Sequence, residues 1–409
     1  MALVHDNFLA HWRVKSDCLV VGDRPLTELV EQVGRTPFYA YDRRLLKERI
    51  ASLRHHLPET VDVHYALKAN PMPDLVRYML PLVDGCDVAS AGELELALEA
   101  GANPSHVSMA GPGKSEAELF RAATAQILIN VESFRDIAIL GRIAEETGHV
   151  ARVAVRVNPD FDVKSSGAKM GGGATQFGID SEQVPEALDK IRRANLHFEG
   201  FHVFNGSQNL EADAICSGHW KALDLVLSLA SSAPGPVRSL NIGGGFGIPY
   251  FPRDRPLDIG RIGEHLHEFV RAIENQLPEA RLIVELGRYL VGEAGVYVCR
   301  IIDRKISRGR VFLITDGGLH HHLAASGNFG QVVRKNFPVI IGNRIAGGRR
   351  ETATVVGPLC TPLDLLADRM DLAEAHEGDL VVVFQSGAYG LTASPTAFLS
   401  HPPPLEILV

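Results

Sequence analysis

Lys68 closes the apolar run Val63-His-Tyr-Ala-Leu-Lys68-Ala-Asn-Pro71, just before an Asn-Pro turn. A lysine at the carboxyl end of a short strand is either a surface side chain that snorkels its stem over the core, or a desolvated amine that forms a Schiff base with a carbonyl cofactor or substrate. The second reading needs partners for such a cofactor. Ser239-Leu-Asn-Ile-Gly243-Gly-Gly-Phe-Gly247 offers one, a strand running into a glycine turn whose backbone N–H groups can wrap an anion. Ile248 stands in place of the third glycine of a dinucleotide fingerprint, so a monophosphate suits the turn better than a pyrophosphate. The plain alternative is a glycine-rich barrel corner. Val284-Glu285-Leu-Gly-Arg288 sets a carboxylate and a guanidinium three residues apart at a strand end. The carboxylate can hold a ring nitrogen protonated and the arginine can bind phosphate, or the two form an ordinary surface ion pair. His320-His-His322 invites a metal reading. Adjacent residues share no face of a helix or strand and no carboxylate stands at ligand spacing, so the expectation is no metal and a substrate-lining or solvated loop.

The elements that must position these residues follow a regular rhythm from Thr36 onward. Short apolar strands read as His64–Asn70, Gly85–Ser90, His106–Ala110, Ile127–Val131, Arg152–Asn158, Glu199–Asn205, Ser239–Gly243 and Leu282–Leu286, with helical periodicity between them. Eight strands alternating with helices point to a closed parallel β/α barrel, with an open doubly wound sheet as the alternative. Lys68, Asp87, Arg156, Ser207, the glycines 243 to 245, and Glu285 with Arg288 all fall at or just beyond the carboxyl ends of their strands. A barrel builds its site there. After Arg288 the rhythm changes to strand-like runs at Val291–Ile306, Arg310–Asp316, Val339–Arg344, Thr352–Gly357 and Leu380–Gln385, with little helix. The expected architecture is α/β, with a barrel over 36–288 and a mostly antiparallel β domain over 289–409 with which residues 1–35 pack. The first segment offers a short helical pattern at Leu26–Val33 and no chemistry, and the 162–176 loop with Gly171-Gly-Gly173 is expected to be mobile.

Composition narrows the partners. Lys+Arg 41 against Asp+Glu 49 gives a formal net charge of -8 with interspersed signs, which argues against nucleic acid and anionic membranes. Cys18, Cys86, Cys216, Cys299 and Cys360 are scattered without CxxC spacing, as in a reduced cytoplasmic protein. Neither a leader pattern nor a long charge-free apolar run is seen, so a soluble chain is expected.

Taken together, Tyr65-Ala-Leu-Lys68-Ala-Asn70, Gly206-Ser-Gln208, Gly243-Gly-Gly-Phe-Gly247, Glu285-Leu-Gly-Arg288, Gly357-Pro-Leu-Cys360-Thr-Pro-Leu-Asp364 and Gly387-Ala-Tyr389-Gly390 resemble the pyridoxal-phosphate decarboxylases of the alanine-racemase-like fold (fold type III), the family of diaminopimelate and ornithine decarboxylases. The resemblance implies pyridoxal 5'-phosphate bound to Lys68, with Glu285 on the pyridine nitrogen. Ser207, Gly243, Gly244, Gly245, Arg288 and Tyr389 would hold the phosphate, and Asp87 and Arg156 would support the cofactor and the lysine. It further implies decarboxylation through an external aldimine and a quinonoid, with Cys360 as proton donor. Cys360 and Asp364 would reach into the neighbouring subunit's site, which implies a homodimer with composite sites in which Cys360, Thr361, Asp364 and Tyr389 meet the substrate.

Three positions depart from the pattern. Phe204 replaces a histidine that stacks on the cofactor ring, and His202 lies two residues earlier on the same strand face, so either can meet the cofactor. Thr361 replaces an acidic residue that reads a substrate amino group, a charge-assisted partner worth roughly 1.5–3 kcal/mol. Ala324 falls where diaminopimelate decarboxylases place an arginine. The expected substrate is therefore an amino acid or amino-acid conjugate, carrier-linked forms included, and not free ornithine or diaminopimelate. A racemase of the same fold and a silent regulatory homologue are the rival readings.

Overall fold

The computed structural model describes residues 6–161, 168–169, 171–204, 206–329, 331 and 334–409. They gather into two units. One comprises Arg49–Ile248 and Arg255–Leu290; the other comprises the chain up to Glu48, Pro249–Asp254 and Val291–Val409. Among the described residues, no helix is long and apolar enough to cross a membrane.

In the first unit the strands β1 (Val61–Ala66), β2 (Gly85–Val88), β3 (Val107–Met109), β4 (Leu128–Val131), β5 (Arg152–Asn158), β6 (His197–Val203), β7 (Ser239–Gly244) and β8 (Arg281–Leu286) pair in parallel in chain order, and β8 pairs with β1. The sheet closes on itself, so the open-sheet alternative is excluded. Strand residues alternate in polarity with period two. Val61, Val63 and Tyr65 on β1 and Val153, Val155 and Val157 on β5 form one buried apolar set, as strands packed under helices require. The intervening set is polar: His64, Asp87, Ser108, Asn130, Arg156, His202, Asn241 and Glu285 are all buried. The helices between strands begin at local caps. Ser115 accepts from the Glu118 N–H while the Glu118 carboxylate accepts from the Ser115 N–H, a capping box that starts Glu116–Thr124.

In the second unit, Gly295–Ser307 is the central strand, paired antiparallel with Arg310–Thr315, Leu380–Val383 and Phe38–Tyr41. Arg310–Thr315 continues in parallel to Arg350–Val356, which pairs antiparallel with Leu365–Ala373. The sheet is thus mostly antiparallel. Phe38–Tyr41 follows Thr36, where the barrel rhythm was read to begin, yet it pairs in this sheet, and the barrel unit starts at Arg49. Its four residues are all buried, which the strand rhythm cannot assign to one sheet or another. The helix at Leu26–Val33 lies where its periodicity places it. Part of the 162–176 loop lies outside the described residues.

Candidate active site

The chain leaves β1 through a single turn, Leu67–Ala69, that swings Lys68 out at the barrel's carboxyl end with its side chain half exposed. Tyr65 fixes this turn by donating its hydroxyl to the Asn70 carbonyl at 2.7 Å, and Asn70 Oδ1 accepts from the Met72 N–H at 3.1 Å. A β-carbon at Gly287 would lie 2.8 Å from Ala69 Cβ, so the glycine of Glu285-Leu-Gly-Arg288 lets the β8 turn approach the lysine turn. Lys68 Nζ stands 3.8 Å from Glu285 Oε1 and 5.7 Å from the centre of the Phe204 ring. Arg288 opens the short helix after β8.

Glu285 is almost fully buried, and its second oxygen lies 3.3 Å from His202 Nε2, within ion-pair distance but out of line for a hydrogen bond. Burial favours the neutral acid, but His202, Lys68 and Arg156 together outweigh it and hold the carboxyl well below the usual carboxylate range. Arg156 is fixed in turn: it donates to Glu132 Oε1 at 2.9 Å and lies 4.9 Å from the centre of the Phe177 ring. Glu132 also accepts from the N–H groups of Gly111 and Gly178. Beside them, Asp87 accepts from Ser108 and lies 3.7 Å from His64.

The glycine turn after β7 has φ of 67° at Gly243 and 75° at Gly245, and Gly243 donates to Asn241 Oδ1 at 2.8 Å. Each glycine has a reason to lack a side chain. A β-carbon would come within 2.2 Å of the Phe204 ring at Gly243, 2.0 Å of the Glu285 carbonyl at Gly244 and 2.2 Å of the Gly206 carbonyl at Gly245. The turn is therefore packed against the segment that carries Phe204 and Ser207, and the Asn209 N–H donates to the Gly245 carbonyl at 2.9 Å. A small cavity lined by Gly206, Asn209, Gly244, Gly245 and His219 lies at this turn.

The remaining expected site residues lie in the β unit. Cys360 is exposed on the loop from Gly357 to Asp364. Asp364 is buried, with Oδ1 accepting from the Leu319 N–H at 2.6 Å and Oδ2 from the Leu359 N–H at 2.9 Å. Gly318 and Gly357 must be glycines because a β-carbon at either would sit 2.2–2.3 Å from those oxygens. Asp364 thus holds the cysteine loop in shape. Thr361 is partly exposed and its hydroxyl accepts from the Leu363 N–H at 3.3 Å. Tyr389 sits at φ 53° with its ring stacked 6.4 Å from Phe329.

His320, His321 and His322 are fully buried, which corrects the reading of a solvated loop. His322 joins Ser386 Oγ at 2.9 Å through Nε2 while Nδ1 accepts from the Ala325 N–H, and His321 Nε2 reaches the Pro402 carbonyl at 3.0 Å. Among the described residues, no group of His, Cys, Asp or Glu is arranged to hold a metal ion.

Sequence reasoning missed His64, Ser108 and Glu132. Glu132 had a signal, a carboxylate directly after a barrel strand. His64 and Ser108 lie within strands, where one-dimensional periodicity does not tell a polar interior residue from an exposed one.

Comparison with known proteins identifies the family. Residues 43–292 match the family model of the pyridoxal-dependent decarboxylase, pyridoxal binding domain. The L-glutamyl-(BtrI acyl-carrier protein) decarboxylase of Niallia circulans is 40% identical over 91% of this chain and 88% of its own. Diaminopimelate decarboxylase of Aquifex aeolicus is 33% identical over 94% and 89%. Among solved structures, diaminopimelate decarboxylase of Helicobacter pylori complexed with L-lysine superposes with a TM-score of 0.82 at 26% identity, covering 94% of each chain. The residues present fit a pyridoxal phosphate. A small cavity opens beside the glycine turn, lined by Gly206, Gly244 and Gly245, and among the described residues Asp87 Oδ2, Glu285 Oε2 and both His202 nitrogens are buried without a hydrogen-bond partner, as a polar ring bound among them would explain.

Proposed function

The chain belongs to the pyridoxal-dependent decarboxylases and is a pyridoxal-phosphate-dependent amino-acid decarboxylase, and from that premise we propose that it removes the α-carboxylate of an amino acid whose far end is conjugated, such as a glutamyl unit carried on an acyl-carrier protein. Thr361 is the observation that carries this reading. A neutral hydroxyl, already engaged with the Leu363 N–H, stands beside Cys360 where an acidic residue would read a substrate ammonium. The 40% identity to the Niallia circulans enzyme supports the same choice.

Bound pyridoxal phosphate supplies the electron sink that accepts the bond pair left when carbon dioxide departs. Lys68 supplies the amine to which the cofactor aldehyde is attached. Glu285, held ionised by its cationic neighbours, would retain the proton on the ring nitrogen. Gly243, Gly244, Gly245, Ser207, Arg288 and Tyr389 would hold the phosphate, and Phe204 would offer the ring an apolar face beside Lys68. Cys360 would donate its thiol proton to the former α-carbon; its exposure on a loop held by Asp364 supports that role. If Cys360 and Thr361 serve the neighbouring subunit's site, the working form is a homodimer, and its unpaired cysteines suit the cytoplasm.

Measuring carbon dioxide release from free glutamate, lysine, ornithine and diaminopimelate against glutamyl thioesters of pantetheine and of an acyl-carrier protein tests the proposal. The carrier-linked glutamyl substrate should give the highest kcat/KM. Preference for a free diamino acid would overturn it.

A further inference from the structure

The barrel interior places a second polar opening under the cofactor cluster. At the amino-terminal mouth of the strands lies a pocket of about 360 Å³ whose lining includes His64, Ser108, Asp62, Arg152 and Ser239. His64 and Ser108 are the same two side chains that touch Asp87 from below. Asp87 and Glu285 are two carboxylates in one buried site, and like charges there cannot both stay ionised unless each has a cation of its own. Glu285 has Lys68 and His202. For Asp87, the ring within ion-pair distance is His64, at 3.7 Å.

Among the described residues, buried polar atoms of the barrel interior without a hydrogen-bond partner are Ser239 Oγ, His64 Nδ1, the amide nitrogen and oxygen of Asn130, Asp87 Oδ2 and Glu285 Oε2, besides the two His202 nitrogens. Leaving such groups unsatisfied costs about 1–3 kcal/mol each, and the pocket's lining reaches His64, Ser108 and Ser239 at the lower end of this set.

We propose that His64 is a positioning residue for the cofactor site, the counter-ion of Asp87, through which the solvent pocket at the amino-terminal mouth of the barrel exchanges protons with Asp87 and Glu285. The charged groups around His64 agree with this role. Burial opposes the imidazolium, but Asp87 on β2, Asp62 on its own strand and Glu285 on β8 together outweigh it. Arg152, Arg238 and Arg281 line the pocket but are each paired, with Glu199, Glu279 and Asp62. Gly85 leaves space for the ring, since a β-carbon there would lie 2.5 Å from His64 Nε2.

Two readouts test the proposal without turnover. In the cofactor-free protein, the His64 imidazole, assigned by its loss in His64→Gln, should titrate above the usual histidine range by NMR, and Asp87→Asn should bring it down by about one pH unit or more. In the cofactor-loaded protein, the pH titration of the visible absorbance band should shift by about one unit in both His64→Gln and His64→Phe. A wild-type His64 that titrates at or below the usual value, or an absorbance titration unchanged in His64→Gln, overturns the proposal. His64→Gln keeps the polarity and size of the side chain, so failure of His64→Phe to fold leaves the test intact.

Discussion

His202 Nε2 lies 3.3 Å from Glu285 Oε2, on the far side of the carboxylate from Lys68 Nζ at 3.8 Å. One buried carboxylate therefore bridges a strand-end lysine and a strand-interior histidine. The arrangement keeps an anion at the carboxyl end of the barrel against the pull of burial. It also separates the roles of the ring on β6 and the ring just past its end. His202 meets the glutamate, while Phe204, two residues on, faces Lys68 and covers Gly243.

Purified protein should be yellow, with an absorbance band that borohydride abolishes, because Lys68 is placed to carry the cofactor. Lys68→Ala should be colourless and lose activity by about a thousandfold or more. Visible spectra of both proteins, with and without borohydride, check this. A colourless Lys68→Ala that decarboxylates at the wild-type rate refutes the assignment.

The glycine turn makes a prediction about stability. Gly245→Ala puts a β-carbon at φ 75° and 2.2 Å from the Gly206 carbonyl, a backbone neighbour that cannot swing aside. It should cost at least about 2 kcal/mol and weaken cofactor retention. Gly235→Ala has no atom within 4 Å and should be neutral in both. Thermal melts and equilibrium dialysis of the two variants decide it.

How much of this was legible in the sequence depends on whether the signal was local. Lys68, the glycine turn and Glu285 were readable because each sits at a strand end followed by a turn, a pattern with period and punctuation. Leu365–Ala373 was not read as a strand, since Leu, Ala, Arg and Met favour helix and only pairing with Arg350–Val356 makes it extended. The family resemblance implies that Asp364 meets the substrate, and the sequence alone does not show that it also ties the cysteine loop. Its backbone partners, Leu319 and Leu359, include one 45 residues away in the chain, and no spacing rule reaches that far. The polarity of His64 and Ser108 became informative only once the sheet closed and aimed both at Asp87.

Acid should destabilise the protein partly through His219 and His265, whose rings share one hydrogen bond at 3.2 Å beside the glycine-turn cavity. Burial pushes His219 down to about 3 and His265 to about 4. Unfolded imidazoles take up protons near about pH 6.5. The neutral pair's contribution is thus fully present above that pH and is lost as pH falls from there toward about 4, with a slope of up to about 1.4 kcal/mol per pH unit for each ring. Denaturant melts between pH 7 and 4 should show a shallower pH dependence in the double variant His219→Leu/His265→Leu than in wild type. Parallel slopes would assign the acid lability elsewhere.

If Cys360 serves the neighbouring subunit, inactive Lys68→Ala and inactive Cys360→Ala should complement on mixing. A random equimolar mixture is about half heterodimer with one intact site in two, so activity should recover to about a quarter of wild type. Recovery is measured after subunit exchange has been verified by mass spectrometry of tagged chains. No recovery after exchange places both residues in the site of one subunit.

Thr361 is the position at which substrate choice can be moved. Its hydroxyl accepts from the Leu363 N–H, an interaction that an aspartate can also make while adding a charge on the same exposed turn. A carboxylate there would meet a distal ammonium with a charge-assisted contact of about 1.5–3 kcal/mol, which corresponds to roughly ten- to hundredfold in kcat/KM. Asp364 does not substitute for it, because both its oxygens are held by backbone N–H groups. Thr361→Asp should therefore raise kcat/KM for ornithine and lysine by about tenfold or more and lower it for glutamyl substrates, whereas Asp364→Asn should weaken all substrates alike by loosening the cysteine loop. Kinetics of wild type and both variants on free and carrier-linked substrates separate these outcomes. If ornithine or lysine is already the best wild-type substrate and Thr361→Asp leaves the ratio unchanged, Thr361 does not read the substrate's far end.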